Sequence, residues 1–165
     1  MSNGAVRWGA FANLRPDLAE AGRQIFYQYG VGLAFLGTVR ADGGPRVHPF
    51  CPMLDGEGLY AFIVPSPKRE DLHRDGRYAM HTFPADENED AFYLTGVCRP
   101  VSDPDVRSGL EQSYIAERPQ LTSTALAEQQ PFEFLIERCL LTRTTGHGDQ
   151  TPEHIVWPEH IVKEV

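Results

Sequence analysis

The sequence has 165 residues, of which 41% are hydrophobic and 23% are charged. This size and composition predict one folded domain over residues 1–165 and argue against disorder. The formal net charge of −8 argues against a nucleic-acid partner, because phosphate backbones bind to basic surfaces.

The compartment is predicted from what the sequence lacks. No apolar run approaches the roughly 20 residues of a membrane helix, and the N-terminus shows no signal-peptide pattern. The cysteines at 51, 98 and 139 are odd in number and far apart, which is typical of a reducing compartment. We therefore expect a cytoplasmic protein with no membrane partner.

The first third of the chain predicts a helix followed by paired strands. Pro16 and the apolar spacing after it favour a helix over 16–29. The apolar run 31–39 is too short for a good helix and predicts a strand buried on both faces. Asp42-Gly43-Gly44 is a tight-turn signal, so we expect the strand at 45–53 to pair back as a hairpin. Another turn precedes a strand at 59–64.

The rest of the chain alternates short helices with strands. The pattern predicts helices at 67–75 and 104–117 and strands at 77–83, 91–101, 132–144 and 155–157. Residues 119–130 stay open, with a short helix after Pro119 as one alternative. Six or seven turn-linked strands favour a mainly β fold, an antiparallel and nearly closed barrel with peripheral helices.

The segment that starts at Ser66 predicts an anion site. Ser66 is placed to cap the helix that begins at Pro67, and a helix N-terminus directs free N–H groups and a positive dipole outward. Lys68 and Arg69 add two positive charges, and Lys68 is one of only two lysines in the chain. Together these groups suit a phosphate. The alternative is an ordinary capped helix with a solvated Lys and Arg.

The strand at 45–53 is unusual because it contains three prolines. Pro45, Pro49 and Pro52 each remove a backbone donor, so the strand must lie at a sheet edge or against a ligand. Alternation places Arg46 and His48 on one side, where Arg46 could neutralise an anion. The alternative is that both side chains lie on a solvated strand face.

The remaining chemically active residues form no recognisable metal site. The six histidines show no zinc-binding spacing, and His154 and His160 are six residues apart. The three cysteines lie in apolar strands and are expected to be buried thiols. Trp157 is open to three interpretations, as a core residue, an interface anchor, or a ring against a ligand.

Several segments in order resemble the pyridoxamine 5′-phosphate oxidase-like family of FMN-binding split barrels. They are Leu33-Ala34-Phe35-Leu36-Gly37-Thr38-Val39, Asp42-Gly43-Gly44-Pro45-Arg46-Val47-His48-Pro49, Ser66-Pro67-Lys68-Arg69 with Leu72, and Leu94-Thr95-Gly96-Val97. The resemblance covers roughly residues 18–103. It implies a six-stranded antiparallel split barrel and a homodimer with FMN at the interface.

The resemblance also implies roles for particular residues. Ser66, Lys68 and Arg69 would hold the FMN phosphate, with Arg46 as a second phosphate or ribityl partner. Backbone groups around Val47, His48, Pro49, Ile63 and Val64 would meet the flavin ring, and Trp157 is included as a ring against the cofactor. No side chain is assigned a catalytic role, although His48 is a residue to test because histidine is the side-chain type most often used as an acid or base near neutral pH.

The activity is open between three hypotheses. The first is an FMN-dependent oxidoreductase acting on an unidentified small molecule. The second is a flavin or haem carrier or sensor, and the third is a barrel that has lost its cofactor. Pyridoxamine phosphate itself is an unsuitable substrate, because the family's Arg-x-Val-Leu-Leu-Lys stretch reads Arg46-Val47-His48-Pro49-Phe50-Cys51 and its Arg-Leu-His motif is missing. The deazaflavin F420, used by reductases of the family, is an alternative cofactor.

Overall fold

The computed structural model describes residues 4–159, and eight strands form one antiparallel sheet. The strands are β1 (Ala34–Val39), β2 (Pro45–Phe50), β3 (Met53–Asp55), β4 (Gly58–Ile63), β5 (Arg77–Thr82), β6 (Ala91–Pro100), β7 (Gln130–Arg143) and β8 (Glu153–Trp157). Their order is β2-β1-β5-β6-β7-β4-β3, with β8 on β7. The predicted mainly β barrel is confirmed, but the count of six strands is wrong.

The strand that the sequence did not predict separately is β3. The run predicted as one strand over 45–53 divides at Cys51 and Pro52 into β2 and β3, which lie at opposite edges of the sheet. Pro52 has no N–H to donate to a ladder, so pairing is interrupted there. Cys51 and Pro52 therefore link the two edge strands of the sheet, β2 and β3. The edge position predicted for the proline-containing strand is confirmed for β2.

Five helices lie around the sheet within residues 4–159. They are α1 (Trp8–Leu14), α2 (Pro16–Phe26), α3 (Pro67–Arg74), α4 (Pro104–Glu117) and α5 (Ser123–Leu126). The sequence did not predict α1, and α2 ends three residues before the predicted position, ahead of Gly30 with its positive φ of 88°. The segment 119–130, which the sequence left open, contains the short helix α5. None of the described helices is long and apolar enough to cross a membrane.

The main core lies between the sheet and the first two helices. Phe11 and Phe26 from the first two helices pack against Phe92 of β6 at centroid distances of 6.4 and 5.6 Å. In β1, buried and exposed positions alternate, with Leu36 fully buried and Phe35 36% exposed. The prediction that this strand is buried on both faces is therefore wrong, because no described helix covers its outer face.

The long strands β6 and β7 pair along their whole length except at one bulge. The register shifts between Thr95 and Gly96. A Cβ atom on Gly96 would overlap the carbonyl oxygen of Leu135. Glycine at this position therefore permits a close approach of two backbones, which a side chain would prevent.

Candidate functional site

The β1–β2 hairpin positions Arg46. Its turn has Gly43 at a φ of 83°, and the Gly44 N–H donates to Asp42 Oδ1 at 2.9 Å. The register places Arg46 opposite Thr38, on the core-facing side of the sheet. The predicted hairpin, and the predicted shared side of Arg46 and His48, are confirmed by the alternating burial of β2.

The helix α3 begins where β4 ends, with Ser66 at the N-cap position and extended backbone (φ −171°, ψ 161°). The Ser66 hydroxyl does not cap the helix. It donates instead to the carbonyl oxygen of Val64 at 2.8 Å. The predicted side-chain cap is therefore wrong, because the hydroxyl turns back toward the strand and leaves the first amides of the helix without this acceptor.

Asp71 connects α3 to both strands of the hairpin. Its side chain is only 3% exposed, and its Oδ2 accepts hydrogen bonds from Thr38 Oγ1 at 2.8 Å and from Arg46 Nε at 2.7 Å. Its Oδ1 accepts from Arg74 Nη2 at 3.0 Å. Burial would raise the pKa of Asp71, but the hydrogen bonds from Arg46, Arg74 and Thr38 outweigh it and lower the pKa. The carboxylate is thus held in its charged form.

An open cavity of about 480 Å³ lies between the hairpin and α3. Its lining residues are Arg40, Ala41, Asp42, Arg46, Pro67, Glu70, Asp71 and Arg74. Three arginines and three acidic residues give formal charges that cancel, and each of the arginines forms an ion pair. An anion here would therefore need a further positive charge from the neighbouring first turn of α3.

The first turn of α3 carries two cations, Lys68 and Arg69, which differ in their hydrogen bonds. Arg69 Nη1 donates to the carbonyl oxygen of Glu128 at 2.8 Å, which ties it to the segment after α5. Lys68 is partly exposed and forms no ion pair with any group in residues 4–159. Neither cation is neutralised by an acidic group of the described chain, but a backbone carbonyl holds Arg69, whereas Lys68 makes no hydrogen bond within residues 4–159.

The other predicted contact residues differ in orientation and exposure. His48 is partly buried on the core-facing side of β2, whereas Val47 is 65% exposed on the outer side. Pro49 is exposed on that same side. Ile63 is 1% exposed, so only its backbone could meet a ligand, while Val64 beside it is 43% exposed. Because β2 is an edge strand, alternate backbone groups along it have no neighbouring strand to bind.

Trp157 does not join these residues within one chain. It pairs with Cys139 on β7, whereas Ile63 pairs with Gln130. Nine residues of strand separate the two positions, which is about 30 Å along β7. The Trp157 ring instead packs on Phe11 at a centroid distance of 5.1 Å.

Three residues that contribute to the site were not predicted from the sequence. Thr38 could have been found, since a turn at 42–44 sets a register that pairs it with Arg46. Asp71 and Arg74 gave no such signal, because charged residues in a short helix normally face solvent.

The remaining titratable groups do not assemble a metal site in the described part of the chain. Within residues 4–159, no three His, Cys, Asp or Glu side chains come together as a metal centre requires. His160, named in the sequence analysis, lies outside those residues. Burial raises the pKa of the Cys98 and Cys139 thiols to about 12. These two thiols are therefore unsuited to act as thiolate nucleophiles.

Comparison by sequence finds no relative for this chain. No family model matches it, and no curated protein matches it.

Comparison by structure finds split barrels. A candidate pyridoxamine 5′-phosphate oxidase from Listeria innocua matches with a TM-score of 0.60 and 15% identity, covering 74% of this chain and 95% of that one. A haem-binding protein from Mycobacterium smegmatis matches with a TM-score of 0.59 and 15% identity over 86% of this chain. The match spans 58% of the length of the M. smegmatis protein. A candidate 5-nitroimidazole antibiotic resistance protein from Bacteroides thetaiotaomicron matches with a TM-score of 0.59 and 13% identity, covering 73% and 80% of the two chains.

These likenesses establish the fold. The chain has the architecture of the pyridoxamine 5′-phosphate oxidase-like split barrel, as the ordered sequence segments predicted. At identities of 13–15%, they do not extend to activity or ligand.

Proposed function

We propose that this chain binds FMN and uses it as an oxidoreductase toward a small molecule not yet identified. The observation that carries the proposal is Lys68, a cation without an ion pair in the first turn of α3, next to the cavity that Arg46 lines. A phosphate monoester is the flavin group that such a turn would bind.

The donor set suits the phosphate of FMN. Arg46 uses its Nε for Asp71, and a guanidinium has five N–H donors, so its terminal nitrogens retain donors for phosphate oxygens. Lys68 supplies a mobile point charge, and the first amides of α3 add neutral donors. In this proposal Ser66 contributes its backbone and its hydroxyl only after turning from Val64, and Arg69 contributes after leaving Glu128.

The flavin, when bound, would supply hydride and electron transfer. The residues of this chain would bind and orient it. Edge strand β2 offers unpaired backbone groups around Val47–Pro49, and Val64 offers an exposed apolar surface beside the anion site. His48 is the titratable side chain closest along the strand to Arg46, and no side chain is required to act as a general base.

The proposal includes a homodimer. The outer face of β1 and β2 exposes Phe35 at 36% and Val47 at 65%, and none of the helices described in residues 4–159 covers these two side chains. Adjacent exposed apolar side chains favour association, and a second copy would cover them. In this arrangement Trp157 would reach a cofactor from the second copy, because it is remote from α3 in its own chain.

Haem binding is the second candidate function. His48 is partly buried and makes no hydrogen bond within residues 4–159, so its imidazole is available as an axial ligand to iron. The M. smegmatis protein of similar fold is named as a haem-binding protein. The deazaflavin F420 remains an alternative cofactor, although its acidic tail would meet a chain of net charge −8.

A cytoplasmic location completes the proposal. It is supported by the three free cysteines, since oxidising compartments favour disulfides.

An absorbance spectrum of the purified protein tests the cofactor assignment. FMN should be added, the protein desalted, and the spectrum recorded from about 300 to 700 nm. Retained bands at about 370 and 450 nm support FMN, whereas one intense band at about 400 nm after incubation with haem supports the second candidate. A protein that retains no FMN contradicts the main proposal.

A further inference from the structure

A buried carboxylate stands out among the charged residues of α3. The Asp71 side chain is 3% exposed, although most residues of α3 are polar. Glu70 and Arg74 in the same helix are exposed. It accepts hydrogen bonds from three different elements, β1, β2 and its own helix. Burying a charged carboxylate costs free energy because the charge loses its hydration, so the group needs hydrogen-bond partners. Both oxygens of Asp71 have such partners.

The bond to Arg46 uses one particular nitrogen. Asp71 Oδ2 accepts from Nε at 2.7 Å, whereas no hydrogen bond within residues 4–159 uses either terminal nitrogen of Arg46. Arg46 lines the cavity together with Pro67, the first residue of α3. Because a guanidinium is planar, fixing Nε fixes the direction in which the terminal N–H groups point.

Two further contacts hold Asp71 in place. Thr38 Oγ1 donates to the same oxygen as Arg46, and Arg74 Nη2 donates to the other oxygen. Arg74 Nη2 also donates to the carbonyl oxygen of Val39 at 2.6 Å. The carboxylate is therefore fixed against β1 on one side and within α3 on the other.

We propose that Asp71 is a positioning residue, which holds the guanidinium of Arg46 so that its terminal nitrogens bind the cofactor phosphate. This inference rests on the proposed function and concerns how the same site recognises a phosphate monoester. It assigns the recognition to a fixed pair, Asp71 and Arg46, with Lys68 as the mobile charge.

The proposal makes a prediction opposite in sign to simple charge balance. Asp71→Asn removes a negative charge beside the cavity, so if Asp71 only neutralised Arg46, phosphate would bind more tightly to the variant. If Asp71 positions Arg46, the variant binds phosphate more weakly, because the guanidinium becomes free to rotate. The direction of the change therefore separates the two roles.

The experiment compares FMN with riboflavin, which lacks the phosphate, by quenching of flavin fluorescence. In Asp71→Asn we expect FMN to bind about ten-fold more weakly and riboflavin to be unchanged. Asp75→Asn is the matched control, since it removes the same charge at the other end of α3, where Asp75 pairs with Arg77. FMN affinity that is unchanged or higher in Asp71→Asn, or an equal loss for both flavins, overturns the proposal.

Two further variants secure the test against loss of folding. Thr38→Val removes one hydrogen bond to Asp71 and keeps the charge of Asp71. We expect this variant to bind FMN more weakly than the wild type, by a smaller factor than Asp71→Asn, and to bind riboflavin as the wild type does. If its affinity for FMN is also unchanged, the proposal is overturned. In an Arg46→Ala background, adding Asp71→Asn should cause no additional loss of FMN affinity. An additional loss shows that Asp71 acts by another route.

Failure of the proposed function gives a different result. If the wild-type protein retains no FMN, both the function and the role of Asp71 are rejected. If it retains FMN with Asp71→Asn unaffected, only the role of Asp71 is rejected.

Discussion

Replacing Lys68 by alanine tests the anion site most directly. Lys68 forms no ion pair within residues 4–159, whereas the three arginines that line the neighbouring cavity all do. The substitution therefore removes a charge that no acidic group of the described chain offsets. Its effect should fall on ligand binding rather than on folding, because the Lys68 side chain makes no hydrogen bond or ion pair within residues 4–159.

The magnitude follows from the type of contact. A hydrogen bond to a charged group contributes about 1.5–3 kcal/mol. Loss of one such bond between Lys68 and the FMN phosphate should raise the dissociation constant about 10- to 150-fold. Partial exposure of Lys68 favours the lower end of this range, because solvent screens the interaction. Riboflavin should bind equally to both proteins.

Titration of each flavin into the wild type and Lys68→Ala, followed by fluorescence, measures this difference. Arg23→Ala serves as the control, because it removes the same charge from an exposed position in the last turn of α2. An FMN affinity that stays within two-fold of the wild type would refute the assignment of the phosphate to this turn. So would an equal loss in the Arg23 variant, which would indicate a general effect of net charge.

Three further substitutions or treatments probe other parts of the molecule. Val47→Asp should convert a dimer to a monomer in light scattering, because it places a charge in the exposed apolar face; an unchanged mass argues against this interface. Gly96→Ala should lower the free energy of unfolding in urea by about 1–3 kcal/mol, because its methyl group overlaps the Leu135 carbonyl. Cys98 and Cys139 should resist alkylation by iodoacetamide at pH 8, since their pKa values near 12 leave little thiolate; rapid labelling detected by mass spectrometry would contradict these raised pKa values.

Local patterns were enough to predict most of the secondary structure. The turn at Asp42-Gly43-Gly44 predicted the hairpin, and the prolines of β2 predicted its edge position, because both effects act through the backbone of neighbouring residues. The boundary at Pro52 was missed, since a proline inside a run of alternating residues does not show whether the chain continues on the same edge. The helix α1 was missed as well, although Trp8 and Phe11 pack into the core.

The site was predicted less completely than the fold. The sequence identified Lys68 and Arg46 as cations of interest, but it showed neither the ion pair that Arg46 forms nor the hydrogen bond that turns Ser66 away from the helix. Asp71 lies 25 residues after Arg46 and 33 after Thr38. Contacts over such separations depend on how the sheet curls, which no local pattern contains.

The position of Asp71 also explains how two arginines can lie close together at this end of the barrel. If Arg46 and Arg74 were unpaired, their positive charges would repel each other and weaken the packing of α3 on β1. Pairing Arg46 and Arg74 with one buried carboxylate reduces that repulsion while leaving the terminal nitrogens of Arg46 without a partner in residues 4–159. Under the proposed function, stability and anion binding use different donors of the same guanidinium. Lys68 forms no ion pair with this network, so under the proposed function its contact with a phosphate would leave the bonds of Asp71 intact.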